Sequence, residues 1–158
     1  MSTFFKYWLP VVLWAGLVSL FSTDNFSSDK TSPLLLAIFQ WLLPRASPER
    51  LQSLHFVIRK LGHFAEFFVL AMLLYRALRR GQGSRWQWRV AAWTLSLVLF
   101  YSVADEVHQM FVPSRSSTWA DSLLDFFGGC CAVALLYARY RAASGALTPV
   151  VVPDPYGN

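Results

Sequence analysis

Apolar residues along this chain come in long blocks, and the polar residues collect between the blocks instead of alternating with them. A helix that crosses a bilayer needs roughly 17–25 mostly apolar residues. Four stretches qualify: 4–21, 61–78, 88–103 with room to extend to 112, and 123–140. The pattern predicts an all-α membrane protein, a bundle of about four transmembrane helices. Between the first two spans, the segment 33–44 (PLLLAIFQWLLP) is apolar but too short to cross, and reads as re-entrant or interfacial. Ser47, Pro48 and Glu49 then open another helix, with serine as cap, proline in the first turn and an acid near the positive end of the helix dipole. Leu51, Leu54, Ile58 and Leu61 follow at helical spacing, which predicts an outer amphipathic helix running into the second span. The first span is expected to stay uncleaved, because Phe21-Ser22-Thr23-Asp24 offers no small-residue cleavage site.

Composition supports the bilayer as solvent. Of 158 residues, 55% are hydrophobic and 15% charged, with a mean hydropathy of +0.39, against roughly 25% charged in ordinary soluble domains. The length fits one membrane domain over 1–143, with a flexible cytoplasmic tail over 144–158 that holds Pro149, Pro153, Pro155 and Gly157. A net charge of +5 does not point to nucleic acid, because the basic residues flank apolar blocks as membrane-edge residues do. Cys130 and Cys131 are adjacent in an apolar run and read as small packing residues.

The basic residues also orient the chain. Arg76, Arg79, Arg80, Arg85 and Arg89 surround a short Gly- and Ser-containing loop with no acid in it. Such a loop belongs in the cytoplasm. Lys6, Arg139 and Arg141 agree, so both termini are expected in the cytoplasm of a bacterial inner-membrane protein, with loops 22–60 and 105–121 facing outward.

That topology gathers the costly residues on the outer side. Lys60, His63 and Glu66 recur three apart where the second span begins. Asp105, Glu106, His108 and Gln109 end the third span, Arg115 follows, and Asp121 and Asp125 open the fourth. Residues three or four apart share a helix face, so Asp105 aligns with His108 and Gln109, and Asp121 with Asp125. Glu66 lies about 4.5 Å deeper than His63 at 1.5 Å per residue. Charges within a span face polar cavities or partners in the bundle, and these ten side chains are expected to line one binding pocket at the outer interface. Gly128, Gly129 and Ala132 form a small-residue stripe that admits a close helix neighbour. Bland readings stand beside these: Thr118 and Asp121 fit a capping box, Lys60 and Arg115 can snorkel to headgroups, and His63 with Glu66 or Asp105 with His108 can be structural pairs.

The run Lys60-Leu-Gly-His63-Phe-Ala-Glu66, then Asp105-Glu106-Val-His108-Gln109-Met-Phe-Val-Pro113-Ser-Arg115, then Asp121, resembles the VanZ-like family of bacterial membrane proteins. Members of that family often carry Tyr where Phe67 stands and Asn where Asp125 stands. Its namesake is associated with tolerance to the glycopeptide teicoplanin, so the resemblance implies a role in the cell envelope. Three functions are compatible with these residues. In the first, the pocket binds the polar part of a lipid or lipid-linked envelope precursor, with Lys60 and Arg115 meeting anionic groups. In the second, an intramembrane enzyme uses His108 with Asp105 as an oriented base, or takes metal ligands from His63, Glu66, Asp105 and His108 with Asp121 or Asp125. Proton or ion movement is the third and the weakest, because the lower halves of the spans lack acids. The binding reading is preferred, with no cofactor and no metal assigned.

Overall fold

The computed structural model describes residues 3–23, 28–81, 85–112 and 118–145, and among them the only regular elements are helices. They run α1 (Thr3–Tyr7), α2 (Leu9–Phe21), α3 (Ser28–Leu42), α4 (Pro48–Arg79), α5 (Trp88–Met110) and α6 (Trp119–Gly145). The tail expected from 144 lies, beyond Gly145, outside the described residues, as do Gly83 and Ser84 of the arginine loop.

The first predicted span is divided in two at Trp8. Pro10 is the reason. It has no N–H to give the carbonyl four residues back, which is that of Lys6. Arg76, near the end of α4, supplies the missing donor, its Nη2 donating to the Lys6 carbonyl at 3.3 Å. Helix α3 covers the apolar segment predicted to be re-entrant or interfacial as far as Leu42 and begins before it, at Ser28. It packs on α4 and leaves Leu34, Trp41 and Leu42 exposed.

The predicted surface helix and second span are one continuous element, α4. Ser47 precedes it in an extended conformation, with Pro48 in its first turn. The Ser47 side chain hydrogen-bonds the Glu49 carboxyl, holding it below the usual carboxylate range. The helix ends at Arg80, which adopts a left-handed conformation with φ 50°, followed by Gly81 at φ 73°. A left-handed residue after the last turn is a common helix stop.

Helices α4, α5 and α6 pack together, with α2 laid against α4. The core between them is built from Val18, Phe67, Leu70, Ala71, Leu74, Val98 and Ala132. The small-residue stripe on α6 serves the close approach expected of it. A Cβ on Gly128 would strike the backbone carbonyl of Phe64 on α4, and one on Gly129 would lie 2.7 Å from Val98 Cγ1 on α5. Trp14 Nε1 donates to the Glu66 carbonyl at 2.9 Å, and the Tyr101 hydroxyl donates to the Ala15 carbonyl at 2.6 Å, which ties α2 to α4 and α5.

Unlike a soluble protein, the bundle carries large apolar side chains on its outside and a set of polar ones buried beside its apolar core. Leu13, Trp93, Phe100, Leu123 and Phe127 face outward, whereas Thr94, Ser102, Asp105, Glu106, Gln109, Ser122 and Asp125 are buried. A large apolar exterior needs a partner or a lipid phase.

Candidate functional site

The two ends of the bundle differ in charge. At one end, Arg79 stands over the Tyr140 ring at 4.5 Å, and Tyr75 stacks on Trp86 with centroids 4.9 Å apart. Trp86 and Trp88 also meet Tyr137, each at 5.2 Å. Arg76 lies sixteen residues beyond Lys60 on α4, about 24 Å along a helix. The carboxylates gather at the Lys60 end.

Three helices supply that second cluster. Lys60 of α4 forms an ion pair with Asp121 in the first turn of α6. One turn deeper, His63 Nδ1 lies 3.7 Å from Asp125 Oδ1. From α5, Asp105 Oδ2 accepts from Gln109 Nε2 at 2.7 Å and from Ser22 Oγ at 2.8 Å. Gln109 Nε2 is also 3.4 Å from Ser22 Oγ. The Thr118 backbone N–H donates to the Glu106 carboxylate, so an α5 side chain meets the chain as it enters α6. Glu66 is half-buried and lies within electrostatic reach of Asp125 and Tyr101.

Two buried carboxylate oxygens, Glu106 Oε1 and Asp125 Oδ1, have no hydrogen-bond partner. Buried polar atoms are nearly always paired, and Asp125 is only 2% exposed. Its ligand-capable oxygen comes within 4.8 Å of one from Asp105 and a ring nitrogen of His63, and all three atoms lie within that distance of one another.

Of the side chains singled out from the sequence, Lys60 meets Asp121, His63 approaches Asp125 and Gln109 bonds Asp105, with Glu66 and Glu106 within electrostatic reach of these groups. One described residue, His108, does not join them and is exposed. Arg115 lies outside the described residues. Gln109 is 4% exposed and braces Asp105. Thr118 is joined to Asp121 by a backbone bond, Asp121 N to Thr118 O at 2.8 Å, while the Asp121 carboxylate is taken by Lys60. Ser22 carries no motif that marks it in the sequence, nor does Tyr101, whose hydroxyl also meets Ser19 at 2.7 Å.

The polar groups pack against one another, and the open cavities beside them are lined by apolar side chains. One groove of about 340 Å³ lies between α4 and α6, lined by Phe56, Val57, Lys60, Leu61, Phe64, Leu124 and Phe127. A smaller one of about 150 Å³ lies between α5 and the start of α6, with Glu106 among Val103, Val107, Met110, Thr118 and Trp119.

Helix α5 and residues Trp119–Ser144 of α6 are long and apolar enough to cross a bilayer. With the apolar exterior and the interior carboxylates, they point to a helical membrane protein. The chain belongs to the VanZ/LLP1 family, whose model matches residues 7–140. Every motif residue named above from Lys60 to Asp125 falls inside that match. Comparison with curated proteins and with solved structures gives no match.

Proposed function

We propose that this is a four-span inner-membrane protein that binds an amphiphile at its outer interface, with the polar part near Lys60 and the acyl or prenyl part in the groove between α4 and α6. Both termini and the arginine loop lie in the cytoplasm. Helices α1 and α2 together form the first span, since residues 3–21 measure about 28 Å at helical rise, close to the roughly 30 Å hydrocarbon thickness. The apolar stretch of α4 from Leu61 forms the second, and α5 and α6 form the others.

One observation carries the binding reading: an apolar groove has a lysine in its wall, and that lysine sits at the edge of the polar cluster. An amphiphile needs both surfaces at once, an apolar trough and a cation for an anionic group such as a phosphate. The ligand class is a lipid or lipid-linked envelope precursor, which by the family resemblance would connect the protein to glycopeptide susceptibility. The second reading, an intramembrane enzyme on such a substrate, draws its support from the approach of His63, Asp105 and Asp125.

The test is mass spectrometry of amphiphiles that stay with the full-length protein through purification, for the wild type and for Leu124→Trp, which fills the groove. The reading expects one lipid class enriched over the bulk membrane, and loss of that enrichment in the variant. A wild-type profile indistinguishable from bulk membrane rejects it.

A further inference from the structure

We infer that His63, Asp105 and Asp125 form a binding site for a divalent transition cation such as Mn²⁺ or Zn²⁺. The three come from α4, α5 and α6 in turn, and their ligand atoms lie within 4.8 Å of one another. Two ligands bonded to one ion at about 2.1 Å stand no more than about 4.2 Å apart. His63 Nδ1 and Asp125 Oδ1, at 3.7 Å, already have such a spacing. The remaining separations, within 4.8 Å, shorten when the three side chains turn toward one ion.

A cluster of carboxylates is not in itself a site, and two further observations give this one a ligand. Asp125 Oδ1 is buried, lies 3.7 Å from His63 Nδ1 and has no hydrogen-bond partner. A buried carboxylate oxygen without a donor is expensive unless a cation meets it or a proton neutralises it, and a cation is the occupant inferred here. Asp105, in turn, is held through Oδ2 by both Ser22 and Gln109. Bonds of that kind orient ligands around metal ions and are as much a part of a site as the ligands.

The chemistry selects the ion. One imidazole with two carboxylates suits Mn²⁺ and Zn²⁺ better than the all-oxygen shells of Mg²⁺ and Ca²⁺. Three protein ligands leave at least one position for water or an anionic group, the layout of an open site and not of a closed structural one. The inference is independent of the lipid reading, because a metal can bind whether or not the groove holds an amphiphile.

The experiment uses the full chain in detergent, stripped with a chelator and titrated with Mn²⁺ and, separately, Zn²⁺. Bound metal is counted by elemental analysis, and Mn²⁺ coordination is followed by electron paramagnetic resonance. Wild type and His108→Ala, whose histidine is exposed, should each hold about one ion per chain. Asp125→Asn and His63→Gln should each bind at least about tenfold more weakly, the low end of what even outer-partner changes cost a metal site. Should Asp125→Asn fail to fold, His63→Gln carries the comparison. Absence of saturable binding to the wild type overturns the site, as does undiminished binding in the folded variants.

Discussion

Ser22 Oγ donates to Asp105 Oδ2 at 2.8 Å, fastening the end of α2 to α5 across 83 residues of sequence. Gln109 donates to the same oxygen at 2.7 Å, so one carboxylate oxygen is held from two helices. This pairing ties the end of α2 to the polar cluster, and it holds Asp105 beside His63 and Asp125.

Because two donors share one acceptor, their losses should not add. Ser22→Ala and Gln109→Ala are each expected to lower stability by about 0.6–2 kcal/mol, the range for hydrogen bonds between helices in a membrane. The double variant should lose more than the sum, since the last donor to a buried charge leaves with it. Thermal melts of the four proteins in detergent give the coupling. Strictly additive losses would mean that the two donors do not share the carboxylate.

The two glycines of α6 should respond differently to the same change. An added methyl at Gly128 meets the Phe64 backbone, with the carbonyl carbon 3.2 Å away, whereas at Gly129 it meets a side chain, Val98. Backbone in a packed helix cannot yield, and overpacking costs about 1–3 kcal/mol. Gly128→Ala should therefore be the more damaging. Val98→Ala should restore melting temperature to Gly129→Ala and do nothing for Gly128→Ala. Equal rescue of both would show that the contacts are wrongly assigned.

Much of this architecture is legible in the sequence because it depends on local spacing. Ser47 and Pro48 mark the start of α4, and Gly128, Gly129 and Ala132 mark the close helix contact. What escapes is whatever depends on the exact direction of a buried face. Asp105 has His108 and Gln109 as neighbours, turned from it by about 60° one way and about 40° the other. The buried arc of α5 runs through Val98, Ser102, Asp105, Glu106 and Gln109, which all lie on the Gln109 side. His108 falls off the opposite edge. Ser22 escapes for another reason: a serine at the end of an apolar helix carries no local sign of an acceptor 83 residues away. Asp121 shows a third limit, since a capping pattern and an ion pair with Lys60 look alike until α4 is placed.

The proposed four-span topology is tested directly by chemical labelling. In a background with Cys130→Ala and Cys131→Ala, cysteine placed at Ser84 should resist membrane-impermeant thiol reagents in intact cells. Cysteine placed at Ser116 should react. The motive is the run of arginines from Arg76 to Arg89 against the carboxylates from Asp105 to Asp125. The opposite pattern would put the carboxylate end in the cytoplasm, and the outer-interface reading would fall with it.

The cluster should divide into side chains that hold the bundle together and side chains that meet a ligand. Asp105 and Gln109 are buried and bonded to one another, so Asp105→Ala and Gln109→Ala should reduce membrane abundance and melting temperature together with function. A broken buried pair leaves a charge or donor uncompensated, at about 3–5 kcal/mol for a full ion pair and less for a neutral partner. Lys60 is different: its side chain is 30% exposed, and it lines the apolar groove. An ion pair that is partly exposed contributes about 0–1 kcal/mol. Lys60→Gln should therefore leave the melting temperature within a few degrees of wild type while removing the amphiphile that co-purifies and altering glycopeptide susceptibility. The measurement is paired for every variant: folded protein in the membrane, beside bound lipid and susceptibility. If Lys60→Gln loses function only in proportion to lost protein, the lysine is a strut between α4 and α6, and the binding role assigned to it is wrong.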